Sequence, residues 1–232
     1  MRGKEHKFDS ENSFVLAAYQ AETNGEYLKA VEYYKKALEN DPRLGIVYKH
    51  IGNIYYKIGK LDKAIEYLEL ATEKLPVFPT GWYELALAYY RKVRLGKAIE
   101  CLQKVIELDD SFLLAYYWLG ILYYHTGKLI QAKEKFEYVI KMHPDFTIAF
   151  FHHGVASLRL GLYEDAVKSF HEIIKANESS PVALGLLGDA YMNLDRRYEA
   201  RKAYKKALEL DPEDRKSWNG LAAIDDFNNI TF

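Results

Sequence analysis

Apolar and polar positions along this chain follow two superimposed periods, one helical and one of 34 residues. With blocks of 34 numbered from Glu11, position 4 holds Phe14, Tyr48, Trp82, Tyr116, Phe150 and Leu184, all large. Position 8 holds Ala18, Gly52, Ala86, Gly120, Gly154 and Gly188, all small. Position 20 is alanine in every block, as Ala30, Ala64, Ala98, Ala132, Ala166 and Ala200, and position 24 is again large, as Tyr34, Leu68, Leu102, Phe136, Phe170 and Tyr204. Apolar residues at positions 4, 7, 8 and 11 share one face of a helix, and those at 20, 24 and 27 share another. Each block thus predicts two amphipathic helices, A and B. A unit of this size cannot bury its own apolar face, so the fixed period predicts copies stacked into a solenoid.

Glycine and proline supply the punctuation. Gly25, Gly59, Gly127 and Gly161 stand at position 15, where helix A must stop and a left-handed cap costs glycine no Cβ clash. Pro42, Pro76, Pro144 and Pro212 stand at position 32 and end helix B, while Pro79 and Pro181 fit the first turn of a new helix, where no N–H is missed. Block 6 carries Asp195 and Arg197 in its turn, which predicts a less regular connection there.

These residues resemble the tetratricopeptide repeat signature of a large residue, Leu-Gly, Tyr, Ala, an aromatic, Ala and Pro in that order. Block 2 matches it through Tyr48, Ile51, Gly52, Tyr55, Gly59, Ala64, Leu68, Ala71 and Pro76. The resemblance implies an all-α fold, a right-handed superhelical α-solenoid of antiparallel helix pairs. It covers six repeats in one domain, residues 11–44, 45–78, 79–112, 113–146, 147–180 and 181–214. Residues 215–232 begin a seventh copy with Trp218, Leu221 and Ala222 and read as a capping helix and tail, the polar end that a solenoid requires. Residues 1–10 are polar, mixed in charge and expected to be disordered.

Composition narrows the function. With 32 basic and 33 acidic residues the net charge is −1, so no basic field favours nucleic acid. The chain contains no apolar run of membrane-spanning length and no secretory leader pattern, so no direct membrane insertion is expected. The single cysteine, Cys101, rules out an internal disulfide, and its place on helix B reads as structural; a reducing, cytoplasmic setting is expected. Asn229, Ile230 and Thr231 form a glycosylation sequon that nothing else supports. Phosphate loops, nucleophile elbows and paired metal-ligand spacings are all missing, so no enzyme, cofactor or metal is expected. His152 and His153 are adjacent and point about 100° apart on a helix, so they cannot face one metal together. His153, at position 7, reads as a core histidine with a hydrogen-bond partner, with a pH-sensitive or metal role as the alternative.

The resemblance also implies where function lies, because in this family positions 2, 5, 6, 9, 12 and 13 of the A helices look into a concave surface. Repeat 2 places Lys49, His50, Asn53, Tyr56 and Lys57 there, and repeat 3 places Tyr83, Glu84, Leu87, Tyr90 and Arg91. Repeat 4 adds Leu114, Tyr117, Trp118, Ile121, Tyr124 and His125, and repeat 5 adds Ile148, Phe151, His152, Val155, Leu158 and Arg159. Chaperone-binding relatives hold a carboxylate there with a five-residue clamp, of which only Lys49 and Asn53 are present; Glu84, Leu114 and Trp118 stand at the other places. Glu84 would repel a carboxylate.

An aromatic and aliphatic stripe of this kind marks an interaction site, since Tyr, Trp and Arg bury much area with few rotors to freeze. The expected function is binding of an apolar or amphipathic segment of a protein partner, as adaptor or assembly factor, with Arg91, Arg159 and Lys57 steering acidic flanks. The alternative for the stripe is that its rings pack on one another. The alternative for the protein is a self-associating scaffold, a homo-oligomer in which Ile224, Phe227, Ile230 and Phe232 reach a neighbouring chain. The alanine at position 20 makes its own prediction. Replacing Ala64 by Leu overpacks the contact between helices A and B and is expected to lower stability by about 1–3 kcal/mol, read as a shift of the urea midpoint.

Overall fold

The computed structural model describes the backbone of residues 13–176 and 180–230 and side chains as far as Asp225. The expectations for residues 1–10 and for the side chains of Phe227, Ile230 and Phe232 fall outside these described residues. All the regular structure that is described is α-helical. The helices are α1 (Ser13–Thr23), α2 (Tyr27–Asn40), α3 (Gly45–Lys57), α4 (Leu61–Lys74), α5 (Pro79–Arg91), α6 (Leu95–Leu108) and α7 (Leu113–His125). They continue as α8 (Leu129–Met142), α9 (Thr147–Arg159), α10 (Tyr163–Ala176), α11 (Pro181–Asn193), α12 (Arg197–Leu210) and α13 (Arg215–Ile230). Odd-numbered helices are the A helices of the repeat and even-numbered ones the B helices. The chain divides into two compact units, Met1–Ala115 and Tyr116–Phe232, and each is described by itself.

One contact, repeated wherever position 8 is glycine, joins an A helix to its B helix. Gly120 lies beneath the Phe136 ring so closely that a Cβ built on it would sit 2.6 Å from the ring, and Gly154 would meet Phe170 at 2.8 Å. In the first unit Gly52 meets Leu68 in the same way, at 2.6 Å. The covered side chains Leu68, Phe136 and Phe170 are fully buried, as are the alanines at position 20. Pairing a hydrogen-sized residue at position 8 with a large one at 24 lets the backbones approach while the ring fills the gap, which maintains close packing.

A short turn then reverses the chain in every pair. At position 15, Gly25, Gly59, Gly127 and Gly161 adopt φ near +75 to +78. The following residue donates its N–H five positions back, as from Lys60 to the Tyr55 carbonyl at 2.9 Å and from Lys128 to Tyr123 at 2.8 Å, the signature of a Schellman cap. The turn of repeat 6 differs from expectation. Asp195 takes the same left-handed φ of 56, and Arg196 N–H reaches the Tyr191 carbonyl at 2.9 Å, so the connection is as regular as the rest. The end of helix A leaves carbonyls that only this geometry satisfies, and Asp tolerates it. Repeat 3 imposes the same turn on Val93, with φ of 59.

At the other joint, Asp41, Asp109 and Asp211 each accept an N–H from two residues on, at 3.0 to 3.1 Å, turning the chain out of helix B. The indole N–H of Trp82 donates to the Pro76 carbonyl at 2.9 Å, and that of Trp218 to Pro212 at the same distance, so the last helix is seated as the earlier repeats are. Leu221 and Ile224 of α13 lie in the core of the second unit with Tyr204 and Leu187. No described helix is long and apolar enough to cross a membrane.

The Val93 turn generates a prediction. A β-branched residue in the left-handed region is strained by roughly 1–2 kcal/mol, and glycine relieves this at an entropic cost of about 0.5–1 kcal/mol. Val93 is 76% exposed, so little burial is lost with its side chain. Val93→Gly is expected to stabilise the protein by about 0.5–1 kcal/mol and Gly59→Val to destabilise it by at least as much, both read from urea melts.

Candidate functional site

The A-helix face of the first unit is built from α3 and α5. Contacts across it follow a rule that the period suggests, a side chain meeting one 35 residues away in the next repeat. Lys57 donates to Glu22 Oε1 at 3.2 Å, Arg91 donates to the Tyr56 carbonyl at 3.1 Å, and Lys49 donates to Glu84 Oε1 at 3.3 Å. Glu22 also accepts from the Tyr34 hydroxyl at 3.1 Å and lies 3.3 Å from His50 Nδ1. Burial raises this carboxyl, but the contacts with His50 and Lys57 outweigh it and hold the group at about 2. The Arg91 guanidinium lies over the Tyr56 ring, 4.6 Å from its centre. Lys49 lies over Phe78 and Tyr83 packs at 5.1 Å on Phe112. Asn53, Leu87 and Tyr90 are half-buried on the same helices, and Leu114 is exposed at 40%.

The second unit repeats the scheme with rings in place of ions. Tyr117 meets Phe146 edge-on at 5.3 Å, as well as His152 at 5.7 Å and Trp118 at 6.0 Å. His152 stacks on the core ring of Phe136 at 5.5 Å and takes the edge of Phe151 at 5.4 Å. Burial, with the His125 charge adding to it, holds the His152 imidazole below its ordinary value, towards the neutral form. Arg159 lies over the Tyr124 ring at 4.8 Å, the 35-residue contact again. Val155 and Leu158 are half-buried beside it. A cavity of about 380 Å³ opens between α9, α11 and α13, lined by Leu158, Arg159, Asp189, Met192 and Tyr204 among others.

Several expectations change. Ile121 is 7% exposed and belongs to the core, because Tyr117, Trp118 and Tyr124 lie on the same helical face one turn to either side and cover it. Tyr83, Tyr90, Tyr117, Trp118, Tyr124 and Phe151 are half-buried and not an open stripe; Tyr83 packs on Phe112, and Tyr117 on Phe146 and on His152 of the next repeat. Lys57 and Lys49 are matched to carboxylates within the chain, so neither carries an uncompensated charge. His153 is 7% exposed with Nδ1 2.7 Å from the Ser169 hydroxyl, the hydrogen-bond partner expected of a core histidine. Ile224, one of the residues behind the self-association reading, is 2% exposed in the core of its own unit.

Sequence reading misses the platform beneath position 5. Phe78 and Phe146 cap α5 and α9, and Phe112 precedes α7. They stand 34 apart at position 34, and that spacing is the signal that finds them. Asp189, Met192 and Asn193 of α11 lie in the same register as the mapped positions of the earlier A helices and line the cavity.

With this geometry in view, comparisons with known proteins decide the family. Tetratricopeptide repeat family models match residues 12–44, 52–93 and 94–127, 127–181, and 181–214. The chain belongs to the tetratricopeptide repeat family. Among solved structures it is similar to YrrB, described as a tetratricopeptide repeat protein with an unusual peptide-binding site, at 19% identity and a TM-score of 0.76 over 83% of this chain and 99% of that one. It is similar to MamA from Desulfovibrio magneticus at 18% identity and a TM-score of 0.69, over 74% of this chain and 97% of that one. A tetratricopeptide repeat protein fragment from Cytophaga hutchinsonii aligns at 20% identity and a TM-score of 0.77, over 92% and 85% of the two chains. Comparison with curated proteins finds no match.

The Glu22 cluster yields a pH prediction. A carboxyl held below its unfolded value near 4.5 contributes stability that is fully present above that value and is lost as pH falls towards 2. Glu22→Gln is expected to cost about 1–2 kcal/mol at pH 7, screened by partial exposure, and the difference from the parent should vanish between pH 4.5 and 2 in urea melts.

Proposed function

We infer from its tetratricopeptide repeats that this chain is a protein-interaction module. We propose that its A-helix faces bind an apolar or amphipathic peptide segment of a partner protein and that the protein acts as an adaptor or assembly factor. The observation that carries this reading is the seating of the position-5 side chains. Tyr83 packs on Phe112 and Tyr117 meets Phe146 edge-on, so their rings are held in place while still half-exposed. Rings frozen before binding lose little conformational entropy when a partner covers them, and aromatic anchors of this sort dominate interface energies. Ile148 at 45% exposure and Val182 at 61% extend the apolar surface beside Phe151 and Val155. YrrB, which shares the fold, is described as having a peptide-binding site, and the analogy supports the same use here. A reducing, cytoplasmic setting belongs to the proposal: Cys101 is buried and its thiol is pushed up to about 12 by that burial, so it is inert.

The test is selection of a phage-displayed random twelve-residue peptide library on the full chain. Ile148→Gln combined with Val182→Gln, at positions 45% and 61% exposed, removes apolar surface without adding charge, and Tyr198→Gln, at a position 79% exposed on α12, is the control. Apolar peptides selected on the parent are expected to lose about tenfold or more in affinity for the double variant and nothing for the control. Equal retention on all three proteins would overturn the reading.

A further inference from the structure

Cations on the A-helix faces fall into two groups. Lys49, Lys57 and Lys216 each sit against a carboxylate of the chain, Glu84, Glu22 and Asp189 respectively. Arg91 and Arg159 instead have a tyrosine face, and among the described residues no carboxylate pairs with either. Arg91 spends part of its edge on the Tyr56 carbonyl. Arg159 alone of the two borders the cavity of about 380 Å³ in the second unit. The other charge there, Asp189, is already held by the Tyr204 hydroxyl at 2.8 Å and by the Lys216 ammonium.

We propose that this cavity takes an aspartate or glutamate side chain of the bound peptide on the Tyr124-stacked guanidinium of Arg159. The inference rests on the A-helix face being the peptide site and names the chemistry of its ligand: apolar residues flanked by an acid. The guanidinium carbon lies 4.8 Å from the centre of the Tyr124 ring, which covers one side of it, and among the described residues no carboxylate occupies the planar N–H fork that matches one. Leu158 and Met192 beside it lower the local dielectric, which strengthens the ion contact. A phosphate dianion would set two negative charges next to Asp189 where a carboxylate sets one, and a chain of net charge −1 supplies no basic field to offset them. The carboxylate is therefore the better match.

The experiment uses the full chain and an array of apolar twelve-residue peptides in which one flanking residue is Asp, Glu, Asn, Gln or Lys, with a twelve-nucleotide polyuridine as a further probe. The parent is expected to prefer acid over amide by about tenfold, Arg159→Gln to abolish the preference, and Arg159→Lys to keep only about threefold of it. Circular dichroism checks that both variants fold; Arg159 is exposed, so no core contact is removed. Equal capture of acidic and amide peptides overturns this inference and leaves the groove reading in place. No capture of any peptide overturns both. Arg159-dependent binding of polyuridine without any acid preference among the peptides overturns it in favour of a phosphate ligand.

Discussion

The whole structure depends on a side chain at position 24 lying directly on the backbone of the preceding A helix. At Gly120, Gly154 and Gly52 there is no room for even a methyl group beneath Phe136, Phe170 and Leu68. This one contact sets the separation of helices A and B, and the separation sets where the next A helix can stand. A repeat with no core of its own has nothing else to fix its register, so the constraint recurs in the same chemical form along the chain. The cost of violating it is overpacking, which interiors at crystal-like density cannot absorb without shifting backbone.

The same ring connects scaffold to site. Phe136 is fully buried over Gly120, yet His152 stacks on it at 5.5 Å and Tyr117 lies 6.1 Å away. The aromatic face of the second unit is thus an outcrop of its core and not a separate layer laid upon it. Two consequences follow. The rings are positioned by packing that folding already requires, and truncating them disturbs stability together with binding. Substitutions at the more exposed aliphatic positions, Ile148 and Val182, separate the two effects.

Helix pairs and small-to-large contacts were legible in the sequence because each is stated six times by residues of one class, and four of the turns because glycine marks them. The turns at Val93 and Asp195 were not, since residue type there departs from glycine while the carbonyls at the end of helix A still dictate the left-handed conformation. Periodicity gives the direction of a side chain but not the size of what lies over it, which is why Ile121 reads as surface and is core. Phe78, Phe112 and Phe146 escaped notice because they stand just outside the amphipathic pattern, in the linkers. The pairing of charges was hidden for a different reason. Lys57 with Glu22 and Lys49 with Glu84 lie 35 residues apart, one more than the period, so each contact joins different columns of the repeat alignment.

That offset explains how the faces acquire character. A residue at position 13 meets position 12 of the repeat before it, so the pair chosen there is decided jointly by two neighbours. Glutamate before lysine, as Glu22 and Lys57, gives a closed ion pair whose carboxylate is held well below its usual range. Tyrosine before arginine, as Tyr124 and Arg159, gives a cation set over a ring with no carboxylate paired to it among the described residues. The first choice consumes the charge in structure, because opposite charges at hydrogen-bond distance cancel much of the field outside them. The second preserves it, since a ring quadrupole attracts the cation without neutralising it. Within a scaffold whose constant positions are fixed by packing, this two-residue choice decides whether a repeat closes its charge within the chain or keeps it.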